Sequence, residues 1–334
     1  MEVVRVGYVF EDGGVEVRAG DKVSTVPLDI GQRLIVAVGW RDAVDEYDAR
    51  PPQPGETDLH LCAPCGLLGI VTENHLDPGV GETEPTRVRV LNAIVDADGK
   101  TVNAGDLPAP DVGDVDLERK ASNRLIVVTA DKMNAGKSTA IEAIVRALTG
   151  QGHRVGVGKV TGTVRCSGFA DVRAAGAAPI IDFSWFGFPS TCQLPKDELV
   201  ALFRRMLVYL DARVGEGGVV ILELADGWDQ PETSHLLECP ELATVKDRIV
   251  LCLAGTPDPV KQVDQFRNQL GHAVDVVSGT ACADDDVRAL LYDGELWSFD
   301  AKSVPDFPLV ELLLNSTAPH PDARAALAGF FNEE

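Results

Sequence analysis

The chain has 334 residues, 45% of them hydrophobic, with 52 acidic against 30 basic side chains and a formal charge of -22. That length suffices for two domains with a core each, and the composition is not that of a disordered chain. The charge balance excludes a broad basic surface able to neutralise a nucleic-acid backbone or an anionic bilayer, so neither is an expected partner.

No apolar run reaches the roughly 20 residues of a membrane-spanning helix. The opening MEVVRVGYVFEDGG lacks the basic-then-apolar order of a secretory signal. Seven cysteines, an odd number scattered from Cys62 to Cys282, argue against a disulfide framework and for a reducing compartment. A soluble cytoplasmic protein is the expectation.

Residues 1 to about 105 carry short apolar stretches broken by turn signals: VVRVGYVF, Glu11-Asp12-Gly13-Gly14, VEVRAG, later LIVAVGW, then RVRVLNAIV followed by Asp98-Gly99. β-Branched runs separated by such turns predict the hairpins of a mainly β domain. Within it, His60-Leu61-Cys62-Ala63-Pro64-Cys65 holds one CxxC with a histidine nearby. It reads either as half of a zinc site or redox pair, or as a loop with buried thiols. No second CxxC exists, so a fourth zinc ligand has to come from a distant position such as Cys166, Cys192 or His75.

From Gly105 to Ser122 the segment GDLPAPDVGDVDLERKAS mixes prolines and charges without a period, marking a linker. The expected division is a β-rich N-terminal domain with its linker over 1–115, and a second domain over 116–334.

Residues 124–149 read RLIVVTADKMNAGKSTAIEAIVRALT. Leu125 to Val128 suit a strand buried on both faces of a parallel sheet. Ala140, Ile141, Ile144, Val145 and Leu148 recur at helical spacing, with Gly150 placed as a stop. Between them the loop ends in Gly136-Lys137-Ser138, and strand, loop and helix in that order are the sequence form of a phosphate-binding P-loop. Nucleotide is expected on Asn134, Ala135, Gly136, Lys137, Ser138 and Thr139. Free amides and the helix dipole attract the β-phosphate, Lys137 neutralises the β and γ oxygens, and Ser138 places its hydroxyl on Mg²⁺. One position departs from GxxxxGK[ST]: where a glycine is required this chain has Asp131.

Strands and helices then alternate: RVGVGKV, PIIDF, a helix near Lys196 to Leu210, the strand VVILEL at 219–224, the strand RIVLCLAG at 248–255, a helix near Lys261 to Leu270, AVDVVSG, and a closing helix in ARAALAGFF. The predicted class is α/β, a mostly parallel P-loop sheet flanked by helices and preceded by the smaller β-rich domain.

Ligands of such sheets gather at the carboxyl ends of the strands. After VVILEL come Glu223, Ala225, Asp226 and Gly227, so Glu223 or Asp226 is the carboxylate expected beside Mg²⁺. Lys159 ends the strand after the P-loop helix, where it can hold a second anionic group. Thr161, Gly162 and Thr163 add small polar groups, and Asp171 falls on a predicted helix start. Ser184 to Thr191, SWFGFPST, places Trp185 and Phe186 either in a pocket or in the core. Ser278-Gly279-Thr280 lies on the loop expected near the base, without an NKxD guanine signature, which favours ATP.

VVTADKMNAGKST, GHRVGVGKVTG, FADVRAAGA and VILELADGW, in this order over roughly residues 124–230, resemble the consecutive motifs of dethiobiotin synthetase. The additional β domain, the NAGKT-type loop and the ADG motif resemble more closely a group of uncharacterised two-domain P-loop proteins. Their superclass includes the molybdopterin-guanine dinucleotide adaptor and the MinD-like ATPases. The resemblance implies ATP and Mg²⁺ as cofactors and transfer of a phosphate to a carbamate. It also implies Lys137 and Ser138 on phosphate and Mg²⁺, Lys159 on the reacting group, and Asp171 and Glu223 as metal ligands. The chain departs from the synthetase at Ala130-Asp131, at Val160 and at Asp226-Gly227. Lys132 stands where MinD-like members carry a second lysine that reaches a partner subunit's nucleotide.

The leading expectation is therefore an Mg²⁺-ATP-dependent ligase or kinase acting on a small-molecule carboxylate or carbamate. Its catalytic residues are Lys137, Lys159, Glu223 and Asp226, and its metal ligands Ser138, Asp171 and Glu223. The alternative is a nucleotide-driven switch or adaptor, and a homodimer is open in either case.

Overall fold

In the computed structural model the described residues are 1–6, 14–19, 22–80, 82–112, 123–165, 169–303 and 309–315. Part of the Glu11–Gly14 turn, most of the linker, Cys166 and the ARAALAGFF helix lie outside them. The chain divides into two compact units. The first holds Met1–Asp111, Thr161–Ala170 and Asp182–Pro195; the second holds Val112–Val160, Asp171–Ile181 and Lys196–Glu334.

The first unit is built on β1 (Glu2–Arg5), β2 (Val15–Ala19), β3 (Lys22–Val26), β4 (Ala37–Val38), β5 (Tyr47–Arg50), β6 (Leu59–Ala63), β7 (Leu67–Asn74) and β8 (Thr86–Arg89). The strands β2 and β3 form a separate hairpin, while the main sheet runs β1-β8-β6-β7-β4 with β5 also paired to β7. All its pairings are antiparallel except β4 with β7. Val3, Val15, Leu28, Leu59, Leu61, Leu68 and Val88 pack as its core, the alternation of β8 turning Thr86 and Val88 inward and Arg87 and Arg89 outward. LIVAVGW yields only the two-residue β4, because Ile35 (82% exposed) and Val38 (50%) find no buried face. RVRVLNAIV is likewise strand only up to Arg89.

The second unit contains β9 (Arg124–Ala130), β10 (Val155–Lys159), β11 (Ile180–Asp182), β12 (Val219–Glu223), β13 (Arg248–Cys252) and β14 (Val276–Ser278) in the order β11-β10-β12-β9-β13-β14. The pairings from β10 through β14 are parallel. Helices α1 (Lys137–Gly150), α2 (Ala170–Ala174), α3 (Lys196–Val214), α4 (Pro231–Leu237), α5 (Pro240–Val245), α6 (Pro259–Leu270), α7 (Asp285–Asp293) and α8 (Leu309–Leu314) flank and connect the strands. The central strands are apolar on both faces: Leu125 to Val128 and Val219 to Leu222 are all buried, as a sheet covered on two sides requires. This is an α/β P-loop fold preceded by a β-rich sheet.

Helix α1 buries Ala140, Ile141, Ile144, Val145 and Leu148, the stripe expected from their spacing. Its last residue is Gly150, the expected stop, with Gln151 as C-cap and Gly152 following at φ 86°. Asp258 caps α6 by accepting the Lys261 amide, so that helix begins at Pro259.

Candidate functional site

The site is assembled at the carboxyl edge of the second unit's sheet. β9 is flanked by β12 and β13, so the loop that leaves it at Asp131 emerges between two neighbouring strand ends. Asn134 and Gly136 hold positive φ values of 58° and 91°, a sequence of left-handed residues that turns the loop sharply into α1. Four backbone links pin it. The Trp228 amide donates to Ala130 O (2.8 Å) and Asp131 N to Cys252 O (3.0 Å). Thr280 N donates to Ala135 O (2.9 Å), and Ala140 N to Gly136 O (3.0 Å).

Asp131 replaces the consensus glycine with a second anchor. Its carboxylate accepts the Ala254 amide at 2.9 Å, so the start of the loop is tied to the segment after β13. Burial raises the pKa of this carboxyl above the usual range, opposed by the Ala254 amide and by Lys132.

The expected residues fall as follows. Ala135 and Lys137 are buried, and Asn134 and Ser138 are exposed. The Lys137 ammonium donates to the main-chain carbonyl of Asp226 at 2.5 Å, which places it at the same sheet edge as the segment following β12. Glu223, the last residue of β12, is only 4% exposed, and its neighbours by register are Lys159 at the end of β10 and Val128 in β9. Lys159 Nζ lies 3.7 Å from Glu223 Oε1. A buried carboxylate paired with a partly exposed ammonium is thus held one strand from the P-loop strand.

Asp171 stands exposed in the first turn of the short helix α2. Among the described residues, its carboxylate does not join Glu223 or Asp226 in a group of three ligand atoms within 4.8 Å. The oxygen donors read from the sequence as metal ligands are Ser138, Glu223 and Asp171, hard ligands of the type Mg²⁺ takes.

In the first unit, Gly162 N donates to Thr191 Oγ1 (2.8 Å), Thr191 N donates to Gly162 O (3.0 Å), and Thr163 bridges to Ser190. The segments around Thr161–Thr163 and Ser184–Thr191 are therefore clipped together. Phe186 is core (4% exposed) and Trp185 is exposed. Cys62 is buried and free, its thiol pushed up to about 12 chiefly by burial; Cys65 donates to Glu16 Oε2 at 3.1 Å.

Ser278-Gly279-Thr280, the loop expected near the base, braces the phosphate loop. Besides the Thr280 amide on Ala135, Ser278 Oγ donates to Phe299 O at 3.0 Å and carries the bracing onward. Sequence reasoning did not find this role, nor the Asp131–Ala254 tie, because the partners are remote in the chain. It also missed a three-ligand group in the first unit, Asp48, Glu73 and His75.

No family model and no curated protein matches the chain. Among solved structures it is similar to a nucleotide-binding protein in complex with ADP from Archaeoglobus fulgidus, with 13% identity over 61% of this chain and 91% of that one, at a TM-score of 0.39. It is similar to the signal recognition particle receptor FtsY from Elizabethkingia anophelis, with 18% identity over 59% and 68% of the two chains and a TM-score of 0.39. A third is the signal recognition particle 54 kDa protein from Aeropyrum pernix K1 in complex with GDP, with 15% identity over 65% and 50%, at 0.36.

Proposed function

We propose that the second unit binds ATP with Mg²⁺ and passes its terminal phosphoryl group to the oxygen of a small-molecule carboxylate or carbamate, as a dethiobiotin-synthetase-like ligase or kinase. The observation that carries this is the Lys159–Glu223 pair at 3.7 Å, fixed by the parallel register of β10 on β12, the strand that neighbours β9. A loop built only to hold nucleotide does not need a second ammonium there; an anionic acceptor does.

The loop amides at Gly136–Thr139 and the start of α1 supply the phosphate cradle. Lys137 leaves the Asp226 carbonyl for the β and γ oxygens, where its charge opposes the negative charge spread over the transferring group. Ser138 and Glu223, with Asp171, are the side chains offered to Mg²⁺, which neutralises phosphate charge when bound. Lys159 aligns the acceptor, and Glu223 keeps that ammonium oriented. Positioning and electrostatics supply most of the catalysis in phosphoryl transfer.

The test is ADP release from Mg²⁺-ATP in the presence of a deproteinised metabolite extract, followed by mass analysis. Turnover stimulated by the extract, with a new product mass, is expected. Lys159→Ala should lose that stimulation while still binding ATP. Slow hydrolysis indifferent to the extract favours the second reading, a nucleotide-driven switch. Lys132, exposed in the loop, supports that alternative, and its mark is ATP-dependent dimerisation lost in Lys132→Ala.

A further inference from the structure

The first unit carries a set of side chains that the phosphate-loop chemistry does not use. Asp48 in β5 and Glu73 in β7 are directly opposite each other across an antiparallel pair, and His75 follows one residue beyond the end of β7. One ligand atom from each lies within 4.8 Å of the others. His75 Nε2 is 3.2 Å from Asp48 Oδ2.

The arrangement is held from outside. Asp48 Oδ1 is taken by the Ala43 amide at 3.0 Å, which leaves Oδ2 facing the imidazole. The His75 amide donates to Glu46 O at 2.8 Å. Tyr47, fully buried, and Asn74 both donate to Thr83 O, at 2.8 and 2.9 Å, so the residue before Asp48 and the one between Glu73 and His75 are clamped. The ladder has an irregularity between Asp48 and Ala49, a feature that re-aims side chains beside sites.

Two carboxylates face one imidazole. Like charges directly opposite in a ladder destabilise it, yet among the described residues no lysine or arginine pairs with either carboxylate; the recorded ion-pair partner is His75 on Asp48. A cation between the three groups removes the repulsion. One imidazole nitrogen and two carboxylate oxygens, with Glu73 exposed and the other two half-buried, leave room for water as a further ligand. Imidazole disfavours Mg²⁺ and Ca²⁺ and suits Zn²⁺. Zinc ligands stand about 2.0–2.2 Å from the ion, and the exposed Glu73 carboxylate is free to turn to that distance.

We infer that Asp48, Glu73 and His75 form a binding site for a divalent transition-metal ion, Zn²⁺ first among them, in the N-terminal unit and separate from the phosphate loop. The experiment is calorimetric titration of the full chain with Zn²⁺ in buffer free of Mg²⁺ and nucleotide, beside His75→Gln, Glu73→Gln and Cys65→Ser. One equivalent is expected in the parent, at least tenfold weaker binding in the first two variants, and unchanged binding in the third. Should His75→Gln fail to fold, exposed Glu73→Gln still decides. Parent-like affinity in the folded Glu73 variant, loss of binding in Cys65→Ser, or no binding by the parent overturns the assignment.

Discussion

Gly279 shows how little space surrounds the phosphate loop. A Cβ there would lie 2.5 Å from the carbonyl oxygens of both Ala135 and Leu253, at a φ of 102° that side chains disfavour. These are main-chain atoms that cannot rotate away. Gly279→Ala is expected to cost about 1–3 kcal/mol of stability and to weaken nucleotide binding, measured by urea unfolding and nucleotide titration. Lys137, Ser138, Lys159 and Glu223 could be picked from the sequence because each sits at the end of a recognisable strand or in a contiguous motif. The work of Asp131 could not: the Ala254 amide it accepts is over a hundred residues away, and no local pattern announces such a bond.

At the scale of elements, β10 and α3 are joined by glycines. A Cβ on Gly158 would approach Met206 Sδ at 2.7 Å and the Leu210 and Leu222 methyls at 2.8 Å. These are ends of flexible side chains, so Gly158→Ala should overpack without dismantling the site: about 1–3 kcal/mol lost in urea unfolding, with nucleotide affinity within about threefold of the parent. Equal damage to affinity would mean that α3 reaches the loop. The long periodic or fully apolar elements, β9, α1, α3, β12 and β13, were legible because burial on both faces or along one stripe leaves a pattern many residues long. Helices α4 and α5 were not read at all; at seven and six residues they are too short to show a period, although Pro231 and Pro240 at their first positions were available as start signals. LIVAVGW misled in the other direction, since an apolar run predicts a strand only where a partner face buries it.

At the scale of the molecule, the class of fold and the order of sheet and loop followed from the sequence. The membership of Thr161–Ala170 and Asp182–Pro195 in the first unit did not, because which segments cluster together is decided by contacts across long separations. The Asp48–Glu73–His75 group was hidden for the same reason: it exists through the register of β5 on β7, and a one-residue slip would send these side chains to opposite faces. No helix among the described residues is long and apolar enough to cross a membrane. The account rests on a phosphate loop whose lysine is already at the sheet edge, 2.5 Å from the Asp226 carbonyl. The most direct measurement is therefore titration of the purified chain with Mg²⁺-ATP beside Lys137→Ala. Saturable binding by the parent, weakened about 10- to 100-fold in the variant as loss of one charge-assisted contact requires, is the predicted result. Equal affinity in the two proteins, or no binding by the parent, would contradict a nucleotide site at this loop.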